Sequence, residues 1–358
     1  KVHGGRLFGT YFDPPPEGYR VVWTARNEDI FCLRWGVPGF VRDHIRNNSH
    51  DYVGGYIVGS ETYIPAADYF TRDEAVGAGG KPWRYAFERQ WLFYAIWGRL
   101  LYDRETPDDL FRAAFRRRYG AAGEPLFEAH ALAGRMPLRL GFSFDVTWDF
   151  TLYAEGFMAL DPDRRRVELI SIERLISHPP LDPSYVRVAD FERILHEHRE
   201  PDRGAVTPHE LADALESDAT AAREIAESIA LPASGPDAIA LRFEQADVLS
   251  WCELGLYFAW KLRAAVALAR GRLANDADRA ELAAGLLERA AGHWESLVGI
   301  TRPLYADMPL VHLSEQDGRP WHENDHLRFH WEHLLPDVHG EVAAVRAEAA
   351  AIRTGRTP

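Results

Sequence analysis

The first hundred residues alternate between two hydrophobic periods, and beyond them one period takes over. Residues 20–25 and 30–34 are short apolar, β-rich runs, the first following the Pro14-Pro15-Pro16 breaker. Between Gly39 and Arg46 the residues Phe40, Val41 and Ile45 share one helical face. The run from Gly54 to Ser60 reads as a buried strand with Glu61 at its end. Gly77 to Lys81 then link into a helix predicted over 84–102, apolar almost all round from Trp91 to Leu101. Strand, helix, strand, helix is the order of βα units in a parallel sheet or barrel.

Helical periodicity dominates the rest. Thr106-Pro107 predicts an N-cap and first position for a helix over 107–119. Thr207, Pro208 and Glu210 form a capping-box signature for a helix to about Ile229. Further helices are predicted near 238–271, 276–297 and 337–353, with breaks at Ser234-Gly235-Pro236 and Asn275-Asp276. Irregular stretches are expected near 161–187 and 301–322. The predicted fold class is α/β followed by all-α. Residues 1–105 would be the C-terminal portion of a (β/α)8-type barrel, and residues 106–358 a large α-helical domain. The chain begins Lys-Val-His, with neither Met nor a signal-like apolar run, and its first elements read like the middle of a fold, so a fragment is expected. The compartment stays open.

Composition narrows the function classes. A net charge of −13 argues against a nucleic-acid partner, which would need a basic face. No stretch is long and apolar enough for a membrane span. Two cysteines give neither a disulfide framework nor a thiolate metal site, and no phosphate loop, dinucleotide fingerprint or nucleophile elbow occurs. No cofactor is expected. Aromatic residues make up 12% of the chain, a surplus that suits packing and sugar stacking alike.

Three groups of residues could carry chemistry. Glu61 stands at a strand end, where barrel enzymes place their catalytic groups, and glycoside hydrolysis needs paired carboxyl groups. The plain alternative is a cap or an ion pair. Arg34 and Trp35 stand at the end of another short strand, over 30–34, with Asp29 just before its start. There an Arg could clamp hydroxyls or a carboxylate and a Trp could floor a sugar subsite. An Arg–Asp ion pair with a packed Trp explains the same residues. Asp145, Trp148 and Asp149, next to Tyr153, form a third cluster that could supply subsite contacts or a structural network with Arg135 or Arg139. Tyr63 and Trp83 complete the substrate-binding candidates.

Residues 30–42, the strand ending in Glu61, and the aromatic helix running through Gly98-Arg99-Leu100 to Asp103 together resemble the late barrel strands of bacterial α-glucuronidases. The resemblance covers roughly residues 30–120. It implies that Glu61 is a base-side carboxylate of an inverting mechanism and that Arg34 lies near the substrate carboxylate. In two places the sequence departs from that family. The other base-side carboxylate would fall near Gly39, and the general acid belongs on an earlier strand that is not recognisable here. The resemblance therefore implies a glycoside hydrolase-like protein acting on a plant or algal type of polysaccharide or oligosaccharide, with the general acid upstream. The helical domain would wall the cleft or mediate dimerisation. The competing reading is a non-catalytic carbohydrate-binding or scaffolding protein.

His322-Glu323-Asn324-Asp325-His326 formally matches the zinc-protease helix motif. It follows a turn at Asp317-Gly318-Arg319-Pro320, its centre is polar, and Phe329 and Glu332 occupy the downstream ligand positions. No metal is expected, although His326, His330 and His333 recur at helical spacing.

Overall fold

The computed structural model describes residues 14–26, 33–59, 68, 70–143, 156–161, 166–232, 235–309 and 328–355. Strand β1 (Val21–Arg26) pairs in parallel with β2 (Val53–Gly59), and helix α1 (Pro38–Asn48) connects them. Pro38 opens α1 where its missing N–H costs nothing, and Val41, His44 and Ile45 turn inward. This is one βαβ unit. Closure into a barrel is not seen among the described residues.

A short helix α2 (Asp73–Val76) follows, then α3 (Ala86–Arg89) and α4 (Trp91–Tyr102). The single helix predicted over 84–102 is thus broken at Gln90, whose ψ of 25° departs from helical geometry. The strand predicted at 30–34 is not found in its described part, since residues 33–37 have no regular structure.

The remainder is mostly helical. Helices α5 (Asp109–Tyr119), α6 (Gly123–Ala133) and α7 (Arg135–Phe142) lead to a hairpin of β3 (Phe157–Asp161) and β4 (Arg166–Leu169), which occupies part of the stretch expected to be irregular. Then come α8 (Ile172–Ser177), α9 (Val188–His196), α10 (Pro208–Ser228), α11 (Pro236–Ala274) and α12 (Ala277–Thr301). A two-residue pair, β5 (Met308–Pro309) with β6 (Arg328–Phe329), precedes α13 (Leu335–Arg353).

Capping explains several of these boundaries. Thr207 and Glu210 complete the predicted capping box of α10, and Asp276 accepts two backbone N–H bonds at the start of α12. The cap predicted at Thr106 is corrected. Its backbone is taken up in a turn, with its N–H donating to Asp103 and its carbonyl accepting from Arg42, so α5 starts after Asp108 instead.

Helix α11 has 39 residues, or about 58 Å of rise, and is buried along most of its length by α6, α8, α10 and α12. Its apolar residues cover every side, as a central core helix requires. Buried side chains from Leu33 and Trp35 through Trp251 to Ala349 form one continuous cluster, so the βα unit and the helices share a core.

Candidate functional site

Arg26 of β1 lies opposite Gly59 of β2, so the two strands end together on one face. In parallel βα architectures that face carries the chemistry. Glu61 comes two residues after β2. Glu61, Asp29 and Tyr63 lie outside the described residues, as do Asp145, Trp148 and Asp149. Arg34, Trp35 and Trp83 are described, and the first and last of these come together.

Arg34 is 2% exposed and sits at the junction of the βα unit with α11. Its backbone N–H donates to Asp247 Oδ2 at 3.1 Å and its Nη1 to the same oxygen at 2.9 Å. Its Nε donates to the Arg89 carbonyl, while Trp251 Nε1 donates to the Arg34 carbonyl, each at 2.9 Å. Arg89 reaches Asp247 at 2.9 Å, and the Tyr305 hydroxyl bridges the two. Two buried cations therefore share acids supplied by α11. This is the Arg–Asp pairing that the sequence left open.

Trp35 is packed on Phe93 with ring centroids 5.4 Å apart and is nearly inaccessible, which suits a core residue rather than a subsite floor. Trp83 donates to Asp68 and crosses the Phe243 ring at 5.3 Å. Burial works against the Asp68 carboxylate, but Arg89, Thr71 and Trp83 outweigh it and hold the group below its ordinary range. Asp68 thereby anchors the chain a few residues after Glu61.

In front of this junction is a cavity of about 480 Å³, within the usual range of small-molecule sites. Arg34, Trp83, Arg89 and Glu244 line its interior. Phe87, Glu88, Trp91, Tyr94, Arg118 and Tyr119 are also in its lining. Glu244 is almost fully buried and saturated with partners. Trp91 Nε1 donates to it at 3.0 Å, the Tyr119 hydroxyl at 2.8 Å, and His130 Nε2 lies 2.8 Å away. Burial opposes its charge, yet Arg34, His130 and Trp91 prevail and keep it well below the ordinary carboxylate range. A carboxylate held this firmly by Trp91, Tyr119 and His130 ties α4, α5 and α6 to α11 behind the cavity. Burial, reinforced by the Glu244 charge, also pushes the Tyr119 phenol far up.

The sequence pattern did not point to the cavity residues of α5 and α11. A signal existed: Glu244 and Asp247 are acids three apart in a long helix whose apolar residues cover every side, where acids must have buried partners. A larger concavity of about 720 Å³, lined by Tyr19, Arg20, His50 and Tyr52 among others, lies by the N-terminal ends of β1 and β2, away from the face that carries chemistry.

Arg135 and Arg139, considered as partners for the third cluster, both bond to Asp218, at 3.0 and 2.6 Å. The motif at 322–326 lies outside the described residues. Of the neighbouring histidines, His330 Nδ1 accepts the Glu332 amide and His333 faces Asp307 at 3.3 Å. Among the described residues no group of His, Cys, Asp or Glu could hold a metal ion, and no helix is long and apolar enough to cross a membrane.

This architecture is found in a glycoside hydrolase. The chain is similar in fold to a GH138 enzyme targeting pectin rhamnogalacturonan II, with a TM-score of 0.70 and 14% sequence identity. The match covers 90% of this chain and 46% of that one, so the chain spans about half the length of its structural relative. No protein-family model matches the sequence, and neither does any curated protein.

Proposed function

We propose that the protein is glycoside hydrolase-like and acts on a plant-type polysaccharide, with its chemistry at the shared C-terminal face of β1 and β2. The observation that carries this reading is the in-register ending of two parallel strands, with Glu61 two residues beyond the second. Glu61 serves as the general base. Asp29 and Tyr63, which follow β1 and β2 in the sequence, and Asp145, Trp148 and Asp149, which follow α7, contact the sugar. Arg34 acts through its bonds to Asp247, fixing the backbone that leads into α1. The similarity in fold to an enzyme targeting pectin supports the substrate class.

Replacing Glu61 by Gln keeps the shape and removes the base. Turnover of pectin-derived oligosaccharides should fall by at least about a hundredfold while binding persists. Reducing-end release at the parental rate would end the assignment.

One observation favours a second reading. The described cavity offers aromatic surface, and its buried carboxylate is already engaged by Trp91, Tyr119, His130 and Arg34, a set that suits binding better than bond cleavage. In that non-catalytic case oligosaccharides bind without being cleaved, even by the longest form of the protein.

A further inference from the structure

The cavity beside α3 and α4 is lined by no residue of β1 or β2, so a ligand there meets groups other than the strand-end candidates. Its interior charges are closed on themselves. Arg34 faces Asp247 at 2.9 Å and Glu244 at 3.5 Å, and Arg89 faces Asp247 at 2.9 Å. Glu88 is tied to the start of α3, accepting the backbone N–H groups of Arg84 and Tyr85. That leaves Arg118.

Arg118 is exposed, stacks 4.2 Å over the Trp91 ring, and has no ion pair or hydrogen bond with another described residue. A guanidinium held over an aromatic ring still has N–H groups to offer, in the fork that matches a carboxylate. Tyr94 and the exposed Phe87 supply aromatic surface in the same cavity, and pyranose rings pack their apolar faces on such surface. The geometry points to a binding site for a carboxylate-bearing saccharide. The carboxylate lies on Arg118, away from Glu88, and the ring lies on the aromatic wall. The inference rests on the carbohydrate reading above for its ligand class and on nothing in the catalytic assignment.

Calorimetric titration of the whole chain with trigalacturonate, and with the same trimer fully methyl-esterified, tests it. The acid should bind and the ester should bind on the order of tenfold more weakly, the worth of one charge-assisted pair. Arg118→Ala should lose affinity for the acid to a similar extent, Arg118→Lys should recover part of it, and Glu88→Gln should strengthen it. Glu61→Gln should leave the affinity unchanged, while its effect on hydrolysis tests the catalytic reading by a separate readout. The proposal is overturned by equal affinity for acid and ester, by an Arg118→Ala chain that binds as the parent does, or by no binding at all. It is equally overturned if Glu61→Gln alone abolishes binding, because the uronate then sits at the strand ends.

Discussion

His330 is fully buried after β6, and its Nδ1 accepts the Glu332 amide at 3.1 Å. Burial first, and then the Arg302 cation, push its imidazole down to about 3. In the unfolded chain the ring takes up a proton near pH 6.5. Between those two values the unfolded state binds a proton that the folded state refuses, so stability falls as pH falls. The slope from this residue is at most about 1.4 kcal/mol per pH unit. His330→Asn keeps an acceptor for the cap and should flatten the slope of urea-derived stability between pH 6 and 3.5. An unchanged slope would mean that the histidine is not the source. The sequence showed His330 as one of a row of histidines, because the pattern records spacing and not the dryness of the place where the side chain ends up. The same blindness applied to Arg34 and Trp35. They were read as ending a strand over 30–34 whose described part has no regular structure, and their engagement by Asp247 and Phe93 depends on packing that no local pattern encodes.

Elements bounded by local chemistry were the most legible. Helix α10 begins at the expected Thr207 because Thr207 and Glu210 satisfy each other's backbone N–H groups within four residues of chain. Thr207→Ala should cost about 1 kcal/mol, read as a lowered midpoint in denaturant melts at unchanged slope. Strand β1, helix α1 and strand β2 were likewise written in their own periods. Thr106 carried the same cap signature, yet a turn with Asp103 and the Arg42 guanidinium took its backbone first. The break at Gln90 was hidden for a similar reason. Arg89, on one side of it, turns inward to Asp247, a residue 158 positions away. A tertiary demand of that range outweighs the modest cost of interrupting a helix.

At the scale of the molecule, the boundary drawn at residue 105 separates two kinds of secondary structure but not two cores. The buried cluster runs through both sides, and the cations of Arg34 and Arg89 are balanced by Asp247 and Glu244 across the boundary. Asp247→Ala leaves both guanidinium groups dry and short of a partner, so it should destabilise the chain by about 3–5 kcal/mol. The loss should appear in a single transition, with tryptophan fluorescence and far-ultraviolet circular dichroism melting together. Two separate melts would mean that the βα unit and the helices fold independently.

The junction also sets a timetable. Arg34 and the acid that completes it are 213 residues apart. Synthesis at roughly 5–20 residues per second places tens of seconds at most between their appearances at the ribosome. Over that interval the first strands and their aromatic helix wait with an unneutralised arginine and an unfinished apolar surface. Long loops must close before such contacts reward the chain, which slows folding and lengthens exposure to aggregation. A newly made chain of this design has to be sheltered from its neighbours until α11 emerges.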